Sequence, residues 1–309
     1  MLGLRVLEDA LLRPVLDPGA PALYRDLQPP PAPAGAALTV TWLGTAGVLV
    51  SDGETRLLVD PFVSRPGLLR VGLGRPLAPR EREVAAWLDR LEVTRAAAVL
   101  VSHSHYDHVM DAPAFARATG AVLVGSSSTA NVGRGAGVAP ARIRVVADGD
   151  AMTLGRFRVT FLESAHGPAL RGRVPFPGVI ARPLGPPAPA SAYRLGACFG
   201  LVIEHPAGTL VHHGSAGTRP GMYAGVRAGT VLLGLAGRAA TEPYLRDVVD
   251  AVGAARVIPI HFDDFFRPLA APLGFLAGVR FAEFVRTTRR TRPRMELTAP
   301  PLGRPVALA

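Results

Sequence analysis

A buried strand that runs directly into a cluster of histidines constrains this chain more than any other stretch of its sequence. The apolar run RAAAVLV ends at Val101, and HSHYDH follows at residues 103–108. Asp111 then precedes a helical pattern that carries Pro113 in its first turn, as helix starts often do. The cluster is therefore predicted to lie between the carboxyl end of a strand and a helix, the position where open α/β sheets bind ligands.

The spacing within the cluster favours a metal centre. Its three histidines and Asp107 lie too close together for one face of a helix or strand to present them all. A tight loop can direct His103 and His105 to one ion. Asp107 and His108 can then bind a second ion. These ligands suit zinc, and two ions about 3.5–4 Å apart can bind both the attacking and the leaving oxygen of a hydrolytic reaction.

Two more histidines stand where further ligands are expected. His166 and His261 each end an apolar strand, as ligands that converge on a shared centre would. His205, by contrast, lies in a predicted hairpin turn and is interpreted as an ordinary polar side chain. The segment 167–195, rich in Pro, Gly and Arg, is predicted to be irregular and to cover the site.

Composition limits the alternatives for compartment and partner. The single cysteine among 309 residues, Cys198, excludes an internal disulfide and a cysteine-built zinc site. No apolar segment approaches the ~18–20 residues that span a bilayer, and the N-terminus lacks a secretory pattern, so a cytoplasmic protein is predicted.

All 34 basic residues are arginine, and their densest cluster, at residues 286–294, carries no aromatic residue for stacking on bases. The formal charge of +10 is therefore interpreted as surface charge, and a nucleic acid partner is not expected.

The proline-rich stretch QPPPAPAGAA marks a boundary along the chain. Its prolines do not fit the interior of a sheet or helix, so residues 1–37 are interpreted as an N-terminal arm or linker. Residues 38–309 are predicted to form one domain that ends in a basic helix and a tail.

The order of these motifs resembles that of the metallo-β-lactamase superfamily. HSHYDH, His166, HHGSAG around residue 215 and IPIHFDDF with His261 follow one another as in that family. The opening TWLGTAGVLVSDGETRLLVDPF resembles its branch of ascorbate-phosphate lactonase-like and N-acylphosphatidylethanolamine phospholipase D-like proteins. The resemblance implies a four-layer αββα sandwich in the α/β class, with the centre at one edge of the paired sheets. It implies these roles: His103, His105 and His166 bind a first metal, Asp107, His108 and His261 bind a second, and Asp60 either orients a ligand histidine or forms an ordinary Asp-Pro turn.

The chain departs from this family at Ser215. Most members carry an aspartate there, and its carboxylate bridges the two metals, whereas a hydroxyl is a poorer ligand. Three outcomes stay open: the second metal binds weakly, one metal suffices, or a neighbour such as His213, Asp263 or Asp264 supplies the ligand. Asp263 and Asp264 are otherwise expected to cap the following turn or to hold His261.

Hydrolysis by a zinc-activated water is the predicted activity, on an ester, lactone or phosphodiester. A metal lowers the pKa of its bound water towards about 7, and Asp107 is placed to orient that water and accept its proton. One or two Zn²⁺ ions are expected, with Mn²⁺ or Fe²⁺ as alternatives. The alternative functions are a metal-binding protein that lost turnover with the bridging acid, and a nuclease. The apolar run VPFPGVI and its neighbours Arg171, Arg173 and Arg182 favour a small-molecule substrate that is anionic or lipid-like, unless these arginines are surface charge.

Overall fold

Two β-sheets that pack face to face, with accompanying helices, make up the structure. It is a computed structural model, and it describes residues 17–169 and 172–308. Most strands come from apolar runs, because strands covered on both faces bury every side chain they carry. None of the helices in the described ranges has the length and apolar composition to cross a membrane. The strands are β1 (Thr39–Gly44), β2 (Gly47–Ser51), β3 (Arg56–Val59), β4 (Ala98–Leu100), β5 (Val122–Gly125), β6 (Ile143–Val145), β7 (Ala151–Leu154), β8 (Phe157–Glu163), β9 (Phe199–His205), β10 (Gly208–His213), β11 (Thr230–Gly234), β12 (Arg256–Ile260), β13 (Glu296–Leu297) and β14 (Pro305–Ala307). The α-helices are α1 (Ala20–Asp26), α2 (Leu68–Gly72), α3 (Glu81–Arg90), α4 (Tyr106–Val109), α5 (Ala112–Thr119), α6 (Ser127–Gly135), α7 (Thr241–Tyr244), which continues as a π-helical turn (Leu245–Asp250), and α8 (Phe281–Thr291).

Both sheets combine antiparallel and parallel strands. Within the described ranges the first sheet has the order β14-β1-β2-β3-β4-β5-β6, antiparallel up to β3 and parallel from β3 to β6. The second has the order β13-β12-β11-β10-β9-β8-β7, parallel up to β10 and antiparallel beyond it. Parallel neighbours need crossover connections, which bring helices onto the faces of a sheet.

Two hydrophobic clusters separate the layers. One contains Trp42 of the first sheet and Phe161 of the second, so it fills the space between the sheets. The other joins Val99 of β4 to Trp87 of α3 and Phe115 of α5, so it lies between the first sheet and its helices. The αββα sandwich predicted from the sequence is thereby confirmed.

Helix α1 lies in the region interpreted as an arm. Ala20 and Tyr24 of this helix are buried, and Tyr24 Oη donates a hydrogen bond to the Pro300 carbonyl at 3.0 Å. The Tyr24 ring also lies 5.7 Å from the Phe262 ring, measured between centroids. This part of the arm therefore packs on the domain. The boundary at residue 37 stays a prediction, and residues 1–16 lie outside the described ranges.

Strand ends bring the predicted site residues to one edge. Because β3 and β4 are parallel neighbours, Asp60 after β3 and His103 after β4 emerge at the same edge of the first sheet. In the second sheet, His261 directly follows β12. Its N–H donates to the Thr45 carbonyl at 2.7 Å, and Thr45 lies between β1 and β2. This hydrogen bond joins the edges of the two sheets beside the site.

Candidate metal centre

Six side chains that the sequence assigns to metals converge at this edge in two groups. Within each group, the candidate ligand atoms lie within 4.8 Å of one another. The groups are neighbours, because the His103 ring of one lies 3.8 Å from the His108 ring of the other, between centroids. The first group is His103, His105 and His166, and the second group is Asp107, His108 and His261.

Two histidines of the first group are each held by one ring nitrogen. His105 Nε2 lies 2.8 Å from the Pro175 carbonyl, and His166 Nδ1 lies 2.7 Å from the Gly167 carbonyl. A carbonyl only accepts, so these nitrogens carry the protons, and the opposite nitrogens keep their lone pairs. A metal-ligating histidine has the same arrangement, with one nitrogen anchored and the other available.

His103 completes the fit of this group to a metal ion. Its Nδ1 donates to the Ser102 hydroxyl at 3.1 Å, since that hydroxyl gives its own proton to Asp60. Its Nε2 is buried and has no hydrogen-bond partner within the described residues. Buried polar atoms are rarely left unpaired. The unpaired Nε2 of His103, beside the other histidines, therefore fits the binding of a metal ion.

Burial keeps the first group neutral. It lowers the pKa of His105 to about 4 and the pKa of His166 to about 3. It also lowers the pKa of His103 well below its ordinary value, and the neighbouring histidines add to this effect. Because histidines must be deprotonated to bind a metal, the first group is ready for an ion at neutral pH.

A buried carboxylate, that of Asp60, contacts the second group. Asp60 is fully buried, and its Oδ2 accepts from His108 Nδ1 at 2.8 Å. The same oxygen accepts from the Ser102 hydroxyl at 2.5 Å, and Oδ1 accepts from the Ser102 N–H at 2.7 Å. The opposite nitrogen of His108, Nε2, lies 3.8 Å from Asp107 Oδ2. Asp60 therefore contacts a candidate ligand and does more than close an Asp-Pro turn.

The second group also differs in charge, since it contains a carboxylate. Burial alone would raise the pKa of Asp107, but His108 and His261 hold it well below its usual range. Burial lowers the pKa of His108, yet the carboxylates of Asp60 and Asp107 outweigh it and raise that pKa above its ordinary value. Asp107 Oδ2 lies 3.4 Å from His261 Nε2. Asp107 is therefore ionised at neutral pH.

Ser215 and His213 have partners outside the two groups. The Ser215 hydroxyl donates to the Ala165 carbonyl at 3.1 Å. His213 Nδ1 lies 2.8 Å from Tyr223 Oη, and its Nε2 lies 2.9 Å from the Gly217 carbonyl. Both ring nitrogens of His213 are thus engaged, and in this arrangement neither residue replaces a bridging carboxylate.

Asp263 is also engaged elsewhere. Its Oδ2 pairs with Arg65 Nη2 at 2.7 Å, and its Oδ1 accepts from the Thr45 N–H at 2.8 Å. His205, the last residue of β9, accepts from the Ala207 N–H at 3.1 Å through Nδ1, and its Nε2 lies 3.3 Å from Asp52 Oδ2.

Three supports of the site were missed by sequence reasoning: Ser102, Arg65 and the carbonyl of Pro175. Ser102 directly precedes the histidine motif, and this position was the one available signal. Arg65 lies 198 residues from its partner Asp263, so no local pattern links them. Pro175 acts through its backbone carbonyl, a group that every residue carries.

Aromatic rings flank both groups. The Phe265 ring lies 5.4 Å from the His261 ring, and the Phe176 ring lies 6.3 Å from the His105 ring, between centroids. Phe265 also packs on Phe266 at 4.5 Å, and all three phenylalanines are partly exposed. Of the arginines predicted to receive an anion, Arg173 and Arg182 are exposed, and Arg171 lies outside the described residues.

Fold and site together define an α/β sandwich with a candidate metal centre at the edge of its sheets. Residues 39–261 match the model of the beta-lactamase superfamily domain. The chain belongs to this family, and the superfamily predicted from the histidine motifs is confirmed.

Curated relatives cover part of the chain. A metal-dependent hydrolase of the UPF0173 group from Heliobacterium modesticaldum is 32% identical over 130 residues, which are 42% of this chain and 46% of that protein. Another, from Pyrobaculum islandicum, is 26% identical over 180 residues, 58% of this chain and 62% of that protein. The chain therefore spans less than two thirds of the length of these relatives.

Solved structures share the fold at low sequence identity. The metallo hydrolase Igni18 from Ignicoccus hospitalis superimposes with a TM-score of 0.56 at 16% identity, covering 87% of this chain and 97% of that one. The diiron β-hydroxylase CmlA from Streptomyces venezuelae gives 0.56 at 17% identity, over 90% of this chain and 55% of that one. An isothiocyanate hydrolase from Delia radicum gut bacteria gives 0.55 at 16% identity, over 87% and 99%.

Proposed function

We propose that this chain is a metal-dependent hydrolase that acts on an ester, lactone or phosphodiester. The observation that carries the proposal is the convergence of the six candidate ligands at one edge of the fold. The names of the curated relatives, metal-dependent hydrolases, support it. The particular branch of the superfamily stays a prediction.

The two groups would hold one ion each. A bound zinc ion would supply a water of lowered pKa and would polarise the scissile carbonyl or phosphoryl oxygen. The chain's own contribution is to keep the first group deprotonated through burial, and to fix His108 of the second group through its hydrogen bond to Asp60. Zn²⁺ is the proposed ion. Elemental analysis of protein purified without added metal would distinguish Zn²⁺ from Mn²⁺ and Fe²⁺.

Asp107 is proposed to orient the attacking water. Its pKa is held well below the usual range, so it is ionised and can accept a hydrogen bond from the water, but it retains a proton poorly. In hydrolysis the water oxygen bonds to the carbonyl carbon or to phosphorus, the bond to the leaving oxygen breaks, and one water proton passes to that oxygen. Asp107 suits the orientation of the water better than long retention of its proton.

The flanking rings favour a substrate with an apolar part. Phe176 and Phe265 lie against candidate ligands of the two groups and are partly exposed. An apolar group beside the scissile bond would contact these rings, and an anionic head would be attracted by the exposed Arg173 and Arg182. The substrate is therefore proposed to be a small molecule with an apolar and an anionic part.

The test compares wild type with His105→Ala on a panel of phosphodiesters, lactones and aryl esters. Hydrolysis by the wild type that falls to the background level in the variant is expected. Equal rates in both proteins would contradict the proposal. A wild type that binds metal but hydrolyses no member of the panel would favour the second candidate, a metal-binding protein without turnover, which the engagement of Ser215 with Ala165 supports.

A further inference from the structure

A buried ion pair lies beside the second group without belonging to it. Arg65 Nη2 lies 2.7 Å from Asp263 Oδ2, and the two side chains are 1% and 3% exposed. Arg65 comes from the loop after β3 and Asp263 from the loop after β12, so the pair ties the two sheets together at the edge that carries the site. Removing two charges from water costs free energy that their attraction offsets only in part, so global stability explains such a pair poorly.

The pair is connected to His261 through one residue. The second oxygen of Asp263, Oδ1, accepts from the Thr45 N–H at 2.8 Å. The carbonyl of Thr45 accepts from the His261 N–H at 2.7 Å. Asp263 therefore fixes the backbone of Thr45 through its N–H group. The carbonyl of Thr45 in turn fixes the backbone of His261.

The backbone along this connection has an unusual conformation. The φ angles of Arg65, Thr45 and His261 are 44°, 52° and 53°, in the left-handed region that residues with a side chain rarely adopt. Such conformations persist where the surrounding contacts impose them. The hydrogen bonds of Asp263 and Thr45 supply these contacts, because they satisfy the groups that the turns expose.

Gly44 makes room for the pair. A Cβ at this position would lie 1.9 Å from Arg65 Nη2, so any other residue would displace the guanidinium. The φ angle of Gly44 is 87°, which also favours glycine. The glycine and the ion pair therefore form one unit.

We propose that Arg65 and Asp263 are positioning residues for the second group. Through Thr45 they fix the backbone of His261 in the position from which its Nε2 lies 3.4 Å from Asp107 Oδ2. The affinity of the second group for its ion then depends on them, whereas the affinity of the first group does not. This inference rests on the proposed function in one respect, that the second group binds a metal.

The test follows Co²⁺ binding to the metal-free full-length protein by calorimetry and by visible absorption. In wild type two binding steps are expected. Asp263→Asn and Arg65→Met should weaken the second step by about 10- to 100-fold, the range typical for residues that orient a ligand, and leave the first step unchanged. Arg65→Lys, which keeps the charge, should recover part of the loss. Circular dichroism verifies that each variant folds.

The control is the ion pair of the other buried arginine in the described ranges. Arg238 Nη2 lies 2.9 Å from Glu283 Oε2, and the two side chains are 1% and 37% exposed. Glu283→Gln should lower the unfolding temperature and leave both Co²⁺ steps in place. The inference is overturned if the second step is unchanged in Asp263→Asn, if both steps weaken together in that variant, or if wild type binds a single ion. A wild type that binds no Co²⁺ would instead overturn the proposed function.

Discussion

The two ligand groups are held in different ways. The first group consists of three imidazoles, and two of them are anchored by the residue next to them in sequence, His103 by Ser102 and His166 by Gly167. The second group contains a carboxylate, and residues from distant loops hold it in place. These residues are Asp60, Arg65 and Thr45, together with Asp263 from the loop that carries His261. Anchoring by adjacent residues makes the geometry of the first group insensitive to changes elsewhere in the fold. The geometry of the second group depends on the relative position of the two sheets.

Removal of one ligand from each group should have the largest effect. His166→Ala should abolish tight binding at the first group, and His261→Ala should remove the second ion alone. Elemental analysis after gel filtration measures both losses, as ions per chain. His205→Ala is the control, since His205 is also buried but ends β9 and belongs to neither group. A metal content in His166→Ala equal to that of His205→Ala would contradict the assignment of the first group.

The pH should act on the histidines of the first group and on His108 of the second in opposite directions in the metal-free protein. His105 and His166 have pKa values of about 4 and about 3 in the fold, against 6.5 ordinarily. The unfolded state therefore binds more protons below pH 6.5, and acidification lowers the free energy of unfolding, by about 1.4 kcal/mol for each histidine and pH unit at most. The raised pKa of His108 has the opposite sign: its contribution is complete below the ordinary pKa and is lost as the pH rises through the raised value.

Urea unfolding between pH 7 and 4.5 measures this dependence. His166→Asn should flatten the loss of stability on acidification, because it removes the histidine with the lower pKa value. An unchanged slope in this variant would show that the first group does not cause the acid sensitivity.

Asp60→Asn should weaken the second ion by about 10- to 100-fold. The amide of Asn would donate to His108 Nδ1, so the ring proton would move to Nε2 and block the lone pair that faces Asp107. Co²⁺ titration measures the effect. Asp111→Asn is the control, since Asp111 is equally buried and accepts from the Val63 and Ser64 N–H groups without contacting either ligand group. An equal loss in both variants would assign the effect to general destabilisation.

Ser215→Asp should have the smallest effect. The new carboxylate should slow the removal of the second ion by a chelator, but the variant loses the hydrogen bond to the Ala165 carbonyl, which contributes about 1 kcal/mol. Ser215→Ala separates the two contributions, because it removes the hydroxyl without adding charge. If wild type already holds two ions per chain and Ser215→Asp leaves their retention unchanged, weak binding at the second group is wrong.

Much of the fold and of the first group could be predicted from the sequence. His261 directly follows β12 and His166 lies three residues beyond β8, close to the predicted strand ends. The motif HSHYDH places four candidate ligands in a loop and in the helix α4 that follows it. The connection from Arg65 to His261 could not be predicted, because it joins residues far apart in the chain and passes through the backbone of Thr45. The contact between His213 and Tyr223 could not be predicted either, since the two side chains approach each other only in the folded chain.

The carbonyl of Pro175 ties the segment after β8 to the centre. It accepts the proton that fixes the tautomer of His105, and the neighbouring Phe176 ring lies beside the same histidine. Any displacement of Pro175 would break this hydrogen bond and leave the His105 ring free to turn. The position of this loop and the alignment of a candidate metal ligand are therefore coupled.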